Sequence, residues 1–141
     1  MVKVLIAIRP EDRGVMDRVF GDEFEVIHCV TLAEAKAALA TDLSLIACGV
    51  HFDDGRMFDL LKLVKSDPAF KKIAFWGILR DEGVLSSAIT RGIRTAMKSM
   101  GASGLFNLSQ LGPDNDEETA FRDLRAAIRK SLGDKTIDAG S

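Results

Sequence analysis

Five short apolar runs, each followed by a stretch of helical period, constrain this chain more than any other feature. The runs occupy 2–8, 24–30, 43–50, 73–79 and 104–108. The first and third are almost continuously apolar, the pattern of strands covered on both faces. After the first, Pro10-Glu11-Asp12 opens a helix whose Val15, Met16, Val19 and Phe20 make one apolar stripe. Thr31 and Glu34 spell a capping box ahead of Leu32 to Ala40, each side chain serving the other's free backbone N–H. Met57, Leu60, Leu61 and Val64 recur at i, i+3, i+4 and i+7, and Asp67-Pro68 stops that helix near Ser66. Ile89, Ile93, Met97 and Met100 mark a fourth helix capped by Gly101. Phe121, Leu124, Ile128 and Leu132 mark a fifth, ending at Gly133.

Strands that alternate with helices across short connections need parallel crossovers. The expectation is an α/β chain: a single three-layer, doubly wound domain with a five-stranded parallel sheet, order 2-1-3-4-5, flanked by five helices. It spans 1–133, and the polar remainder, 134–141, reads as a flexible C-terminal tail. A length of 141 residues suits one domain, and 47% apolar with 28% charged residues argues against global disorder. Nineteen basic against 21 acidic side chains leave a net charge of −2, so nothing drives the whole chain toward nucleic acid or an anionic membrane. No apolar run is long enough to cross a bilayer, and the N-terminal one is too short for a signal peptide. Cys29 and Cys48 sit inside apolar runs, as buried thiols do. A reduced, cytoplasmic protein is expected.

In such sheets ligands gather at the carboxyl ends of the strands. The residues there are Ile8, Arg9 and Pro10; His28 and Cys29; Ala47 to Asp54; Leu79 to Glu82; and Asn107 to Ser109. Three segments carry a family resemblance: Asp42-Leu43-Ser44-Leu45-Ile46; Phe58-Asp59-Leu60-Leu61 running into Lys65-Ser66-Asp67-Pro68; and Gly101-Ala102-Ser103-Gly104-Leu105-Phe106. In their order and spacing the chain resembles the CheY-like receiver domains of two-component response regulators over roughly 1–133. They match the approach to the receiver's phosphorylated aspartate, its third helix, and the entry to its fifth strand.

The resemblance also implies where receiver chemistry belongs. The acidic pair that holds Mg²⁺ falls on Ile8 and Arg9. The phosphoacceptor falls on Ala47, with Cys48 and Gly49 within alignment error. The hydroxyl residue after the fourth strand falls on Leu79 or Ile78, and the lysine after the fifth on Leu108. The aromatic switch position falls on Leu105, beside Phe106. A hard cation needs carboxylate oxygens, and phosphoryl transfer needs counter-charge. The resemblance therefore implies a degenerate, stand-alone pseudo-receiver, not an enzyme, without cofactor or metal. It would act through contact with a protein, either a two-component signalling component or a second copy of itself.

A second function class stays open, a small α/β ligand- or metal-binding protein with a rebuilt site at the strand carboxyl ends. Glu11, Asp12, Asp53, Asp54, His28 and His51 would be its cation ligands. Against this, Glu11 and Asp12 suit a helix N-terminus and Asp53-Asp54-Gly55 suits a turn. Asp53 or Asp54 would also be the substitute phosphoacceptor, if there is one. Cys48 and His51, three apart on extended chain, point to opposite faces and make a poor nucleophile–base pair. Arg9 and Arg80 flank the pocket, either as anion or partner contacts or paired with Asp53, Asp54 or Asp81. Arg91, Arg94 and Lys98 line one side of the fourth helix and, with Phe106, form a candidate partner face. Arg122, Arg125 and Arg129 repeat that spacing on the last helix, and a plain solvated face explains both. Phe75 and Trp76 read as core, and Phe52 and Phe58 as the floor of the pocket.

Overall fold

The structure, a computed structural model, describes residues 2–80, 87–108 and 117–140. Its strands are β1 (Lys3–Ala7), β2 (Glu25–Cys29), β3 (Leu45–Gly49), β4 (Ala74–Leu79) and β5 (Gly104–Asn107). Its helices are α1 (Arg13–Phe20), α2 (Leu32–Ala38), α3 (Met57–Ser66), α4 (Ser87–Ser99) and α5 (Glu117–Gly140), with a single 3-10 turn at Pro10–Asp12 before α1. The sheet order is β2-β1-β3-β4-β5, all neighbours parallel, as the alternation of runs requires. Chain order reverses between β1 and β3, so the crevice of this sheet opens there.

Alternate residues of each strand feed two cores, one on either face. Leu5, Ile46, Cys48, Phe75 and Leu79 pack under α2, α3 and α4 with Met57, Leu60, Leu61, Val64 and Met97. Val4, Ile6, Ala47 and Ile78 pack under α1 and α5 with Met16, Phe20, Phe121, Leu124 and Ile128. Every residue of β3 is buried, which fits its continuous apolar run.

Local signals act largely as read. Thr31 Oγ1 accepts from the Glu34 N–H at 3.1 Å. Glu34 returns the bond one residue early, to the N–H of Val30 at 2.9 Å. Gly101 takes φ +96° just past α4, where the Ala102 N–H donates to the Met97 carbonyl, so the helix ends where glycine permits a left-handed turn.

One helix end and one side chain's exposure differ from expectation. Helix α5 continues to Gly140 instead of stopping at Gly133. A glycine inside a helix costs only about 1 kcal/mol, and no proline follows to enforce a stop. Ile89, placed in the apolar stripe of α4, is 53% exposed, because the inward stripe of that helix runs through Thr90, Ile93 and Met97.

Candidate functional site

At the crevice the strand ends are largely apolar. Ile8, just past β1, is buried, and its N–H donates to the Cys29 carbonyl at 3.1 Å. Strand β3 ends at Gly49, two residues beyond Ala47, which lies buried inside the strand under α1 and α5. The strand-end position expected at Ala47 therefore belongs to Gly49. A Cβ there would meet Ile8 Cγ2 at 3.6 Å, an ordinary contact, so the space above Gly49 is bounded by an isoleucine. Leu79 closes β4 inside the α2–α4 core, and Leu108, buried on the other face, donates its N–H to the Leu79 carbonyl at 2.7 Å.

The charge at this end of the sheet is organised around Asp12, a buried carboxylate in the 3-10 turn. Arg9 donates from Nε to Asp12 Oδ2 at 2.9 Å and from Nη2 to Oδ1 at 3.3 Å. Arg80 donates from Nη1 to the same Oδ1 at 3.1 Å. Arg9 Nη2 also donates to the backbone carbonyl of Arg80 at 2.9 Å. One carboxylate and two guanidiniums thus tie the exit of β1 to the exit of β4. The arginines do pair, but with Asp12 rather than with Asp53 or Asp54. Asp81, the third partner considered, lies outside the described residues.

The acidic loop after β3 serves local structure. Asp53, Asp54 and Gly55 all have positive φ, at 46°, 56° and 86°. Asp53 accepts the N–H of Leu32, the first residue of α2, at 2.9 Å and lies 3.9 Å from Arg56 Nε. Phe52 is fully buried in the α2–α4 core, and Phe58 packs partly buried against it. His28 faces α1, with Nε2 3.2 Å from Asp17 Oδ1. Among the described residues no three His, Cys, Asp or Glu side chains converge as a metal site would require. Burial pushes the Cys48 thiol well up, and burial with the nearby Glu34 carboxylate pushes up that of Cys29, so both are neutral thiols at pH 7.

The candidate partner face is divided. Arg91, Arg94 and Lys98 are all exposed on α4, with Arg94 Nη2 3.4 Å from the Leu105 carbonyl. Phe106 lies on the opposite face of the sheet, its ring 5.4 Å from that of Trp76. Period two along β5 sends Leu105 under α4 and Phe106 under α5. On α5, Arg125 donates to the carbonyls of Arg18 and Val19 at the end of α1, and Arg129 pairs with Glu23. Arg122 remains exposed beside them.

Solved structures share this fold. CheY4 of Vibrio cholerae, a chemotaxis response regulator, superposes with a TM-score of 0.63 at 22% identity over 89% of this chain and 98% of its own. The signal receiver domain of a two-component histidine kinase from Clostridium thermocellum gives 0.67 at 14% identity, covering 93% and 97%. The Mn²⁺-bound form of the response regulator Rcp1 gives 0.67 at 14%, covering 94% and 95%. The fold is that of a CheY-like receiver domain. No protein-family model matches the sequence, and no curated protein matches it. Among the described residues, no helix is long and apolar enough to cross a membrane.

Proposed function

We propose that this chain is a receiver-like signalling module of the cytoplasm that works through protein contacts without aspartyl phosphorylation. The observation that carries the reading is the Arg9–Asp12–Arg80 cluster, set among Ile8, Gly49, Leu79 and Leu108 at the strand ends. A receiver pocket needs two or more free carboxylates for a divalent cation, a nucleophilic carboxylate, and a cation for the phosphoryl oxygens. Among the described residues the one buried carboxylate near the crevice, Asp12, is already neutralised by two guanidiniums. A divalent ion would have to displace both arginines to reach it. The ion cluster supplies instead a fixed link between the β1 and β4 exits, holding one conformation without a metal or phosphoryl group.

The output surface in this reading is the exposed α4 face of Arg91, Arg94 and Lys98, which suits an acidic partner surface. Incubation with Mg²⁺ and acetyl phosphate, followed by intact mass measurement, tests the phosphorylation claim. Unchanged mass is expected. A stoichiometric phosphoryl adduct would overturn the reading, and its mapping to Asp53 or Asp54 would identify a relocated acceptor.

A further inference from the structure

A cavity of about 280 Å³ opens beside the carboxyl ends of β1 and β2. It shares Ile8 and Arg9 with the crevice, but none of its lining residues comes from β3, β4 or β5, so it lies on the β2 side of β1. Its volume sits just under the ~300–1,000 Å³ of pockets for drug-sized ligands, which suits a small organic molecule. Ile8, Pro10, Cys29 and Val30 supply an apolar wall. Val30 is 39% exposed, one of two large apolar side chains so placed among the described residues. An exposed valine at the mouth of a hollow keeps apolar surface in water that an occupant would cover.

The polar part of the wall is unequal in what it has free. Glu34 accepts the Val30 N–H and keeps a carboxylate in the wall, His28 Nε2 lies 3.2 Å from Asp17 Oδ1, and Arg9 is engaged by Asp12 and the Arg80 carbonyl. Arg13, on the first turn of α1, is exposed and has no ion pair among the described residues. A guanidinium in that position binds carboxylate oxygens with paired N–H donors, while the apolar wall takes a short hydrocarbon body.

We propose that this cavity binds a small organic anion, a short-chain carboxylate, with Arg13 as its counter-charge and Ile8, Pro10, Cys29 and Val30 against its carbon chain. The site does not depend on the phosphorylation reading, and either can fail without the other. Because Arg9 also lines the cavity, occupancy places an anion beside one arm of the Asp12 cluster.

The test titrates the ¹⁵N-labelled full chain with butyrate, and with 1-butanol as the uncharged probe of the same length. Saturable shifts at the amides of Ile8, Arg13, Cys29 and Val30 are expected with butyrate, and binding about tenfold weaker with butanol. Arg13→Gln, a change at an exposed side chain, is expected to lower butyrate affinity to the butanol level. Val30→Asp, which places a carboxylate at the mouth, is expected to weaken butyrate further. Absence of saturable shifts, equal affinity for the two probes, or an Arg13→Gln protein that binds butyrate unchanged would each overturn the proposal.

Discussion

Removing the Asp12 carboxylate tests the ion cluster that ties two strand exits together. In Asp12→Ala the two guanidiniums keep their positions but lose the charge that holds them. The Asp12 side chain is 9% exposed, against 27% for Arg9 and 42% for Arg80, so the pairs are neither fully buried nor fully solvated. Breaking a buried pair costs about 3–5 kcal/mol. Breaking an exposed one costs about 0–1 kcal/mol. Two arginines on one nearly buried carboxylate fall between, and we expect a loss of about 2–3 kcal/mol. Urea denaturation reads it as a lower midpoint at unchanged slope. Arg80→Ala, whose side chain is more exposed, is expected to cost about 0.5–1 kcal/mol. In the Asp12→Ala background the same change should be neutral or stabilising, because it relieves repulsion between guanidiniums. An Asp12→Ala protein within about 0.5 kcal/mol of wild type would refute the reasoning, as would strict additivity of the two changes.

Other predictions follow from particular residues. Asp54 is exposed at φ +56°, so Asp54→Gly is expected to gain up to about 1 kcal/mol by relieving left-handed strain. Asp53→Gly at φ +46° is expected to lose stability instead, since it forfeits the bond to the Leu32 N–H; denaturant midpoints that rank the pair the other way would contradict this. Gly77→Ala would put a methyl 2.5 Å from Met97 Cε and 2.9 Å from its sulfur, and a loss of about 1–3 kcal/mol by thermal or urea unfolding is expected. Burial raises the Cys48 thiol above its ordinary value of 9.0, so the folded state holds that proton more tightly than the unfolded chain. Its contribution to stability is complete below that pH and declines as pH rises beyond it. Denaturation midpoints of Cys48→Ala should therefore fall less steeply above pH 9 than those of wild type.

Most of the fold was legible because its signals are local. The apolar runs became the strands, and Met57, Leu60, Leu61 and Val64 are all fully buried at the spacing that named them. Thr31, Gly101 and Asp67-Pro68 mark ends through bonds within a few residues of themselves. The candidate site was less legible, because its contacts join distant parts of the chain. Asp12 and Arg80 are 68 positions apart, and nothing local distinguishes Asp12 from a carboxylate favoured at a helix start. The helical spacing of Arg122, Arg125 and Arg129 likewise hid that Arg125 caps α1 and Arg129 binds Glu23. The third strand was legible, but its crevice-facing position was placed at Ala47 with Gly49 within alignment error, because Leu45 to Val50 is apolar throughout and alternation gives no edge to find. Five residues of the cavity beside β1 and β2 were legible as strand ends, but Arg13, Val30 and Glu34 were not, since they join the wall from the helices and the loop between.

The account's central claim is a receiver fold whose strand ends do not perform receiver chemistry. Its most direct test is titration of the ¹⁵N-labelled protein with beryllofluoride and Mg²⁺, a mimic of the phosphoryl–metal pair. The account predicts no saturable shift at the amides of Ile8, Arg9, Gly49, Leu79 or Leu108. Stoichiometric, Mg²⁺-dependent shifts at those positions, or at Asp53 and Asp54, would contradict it.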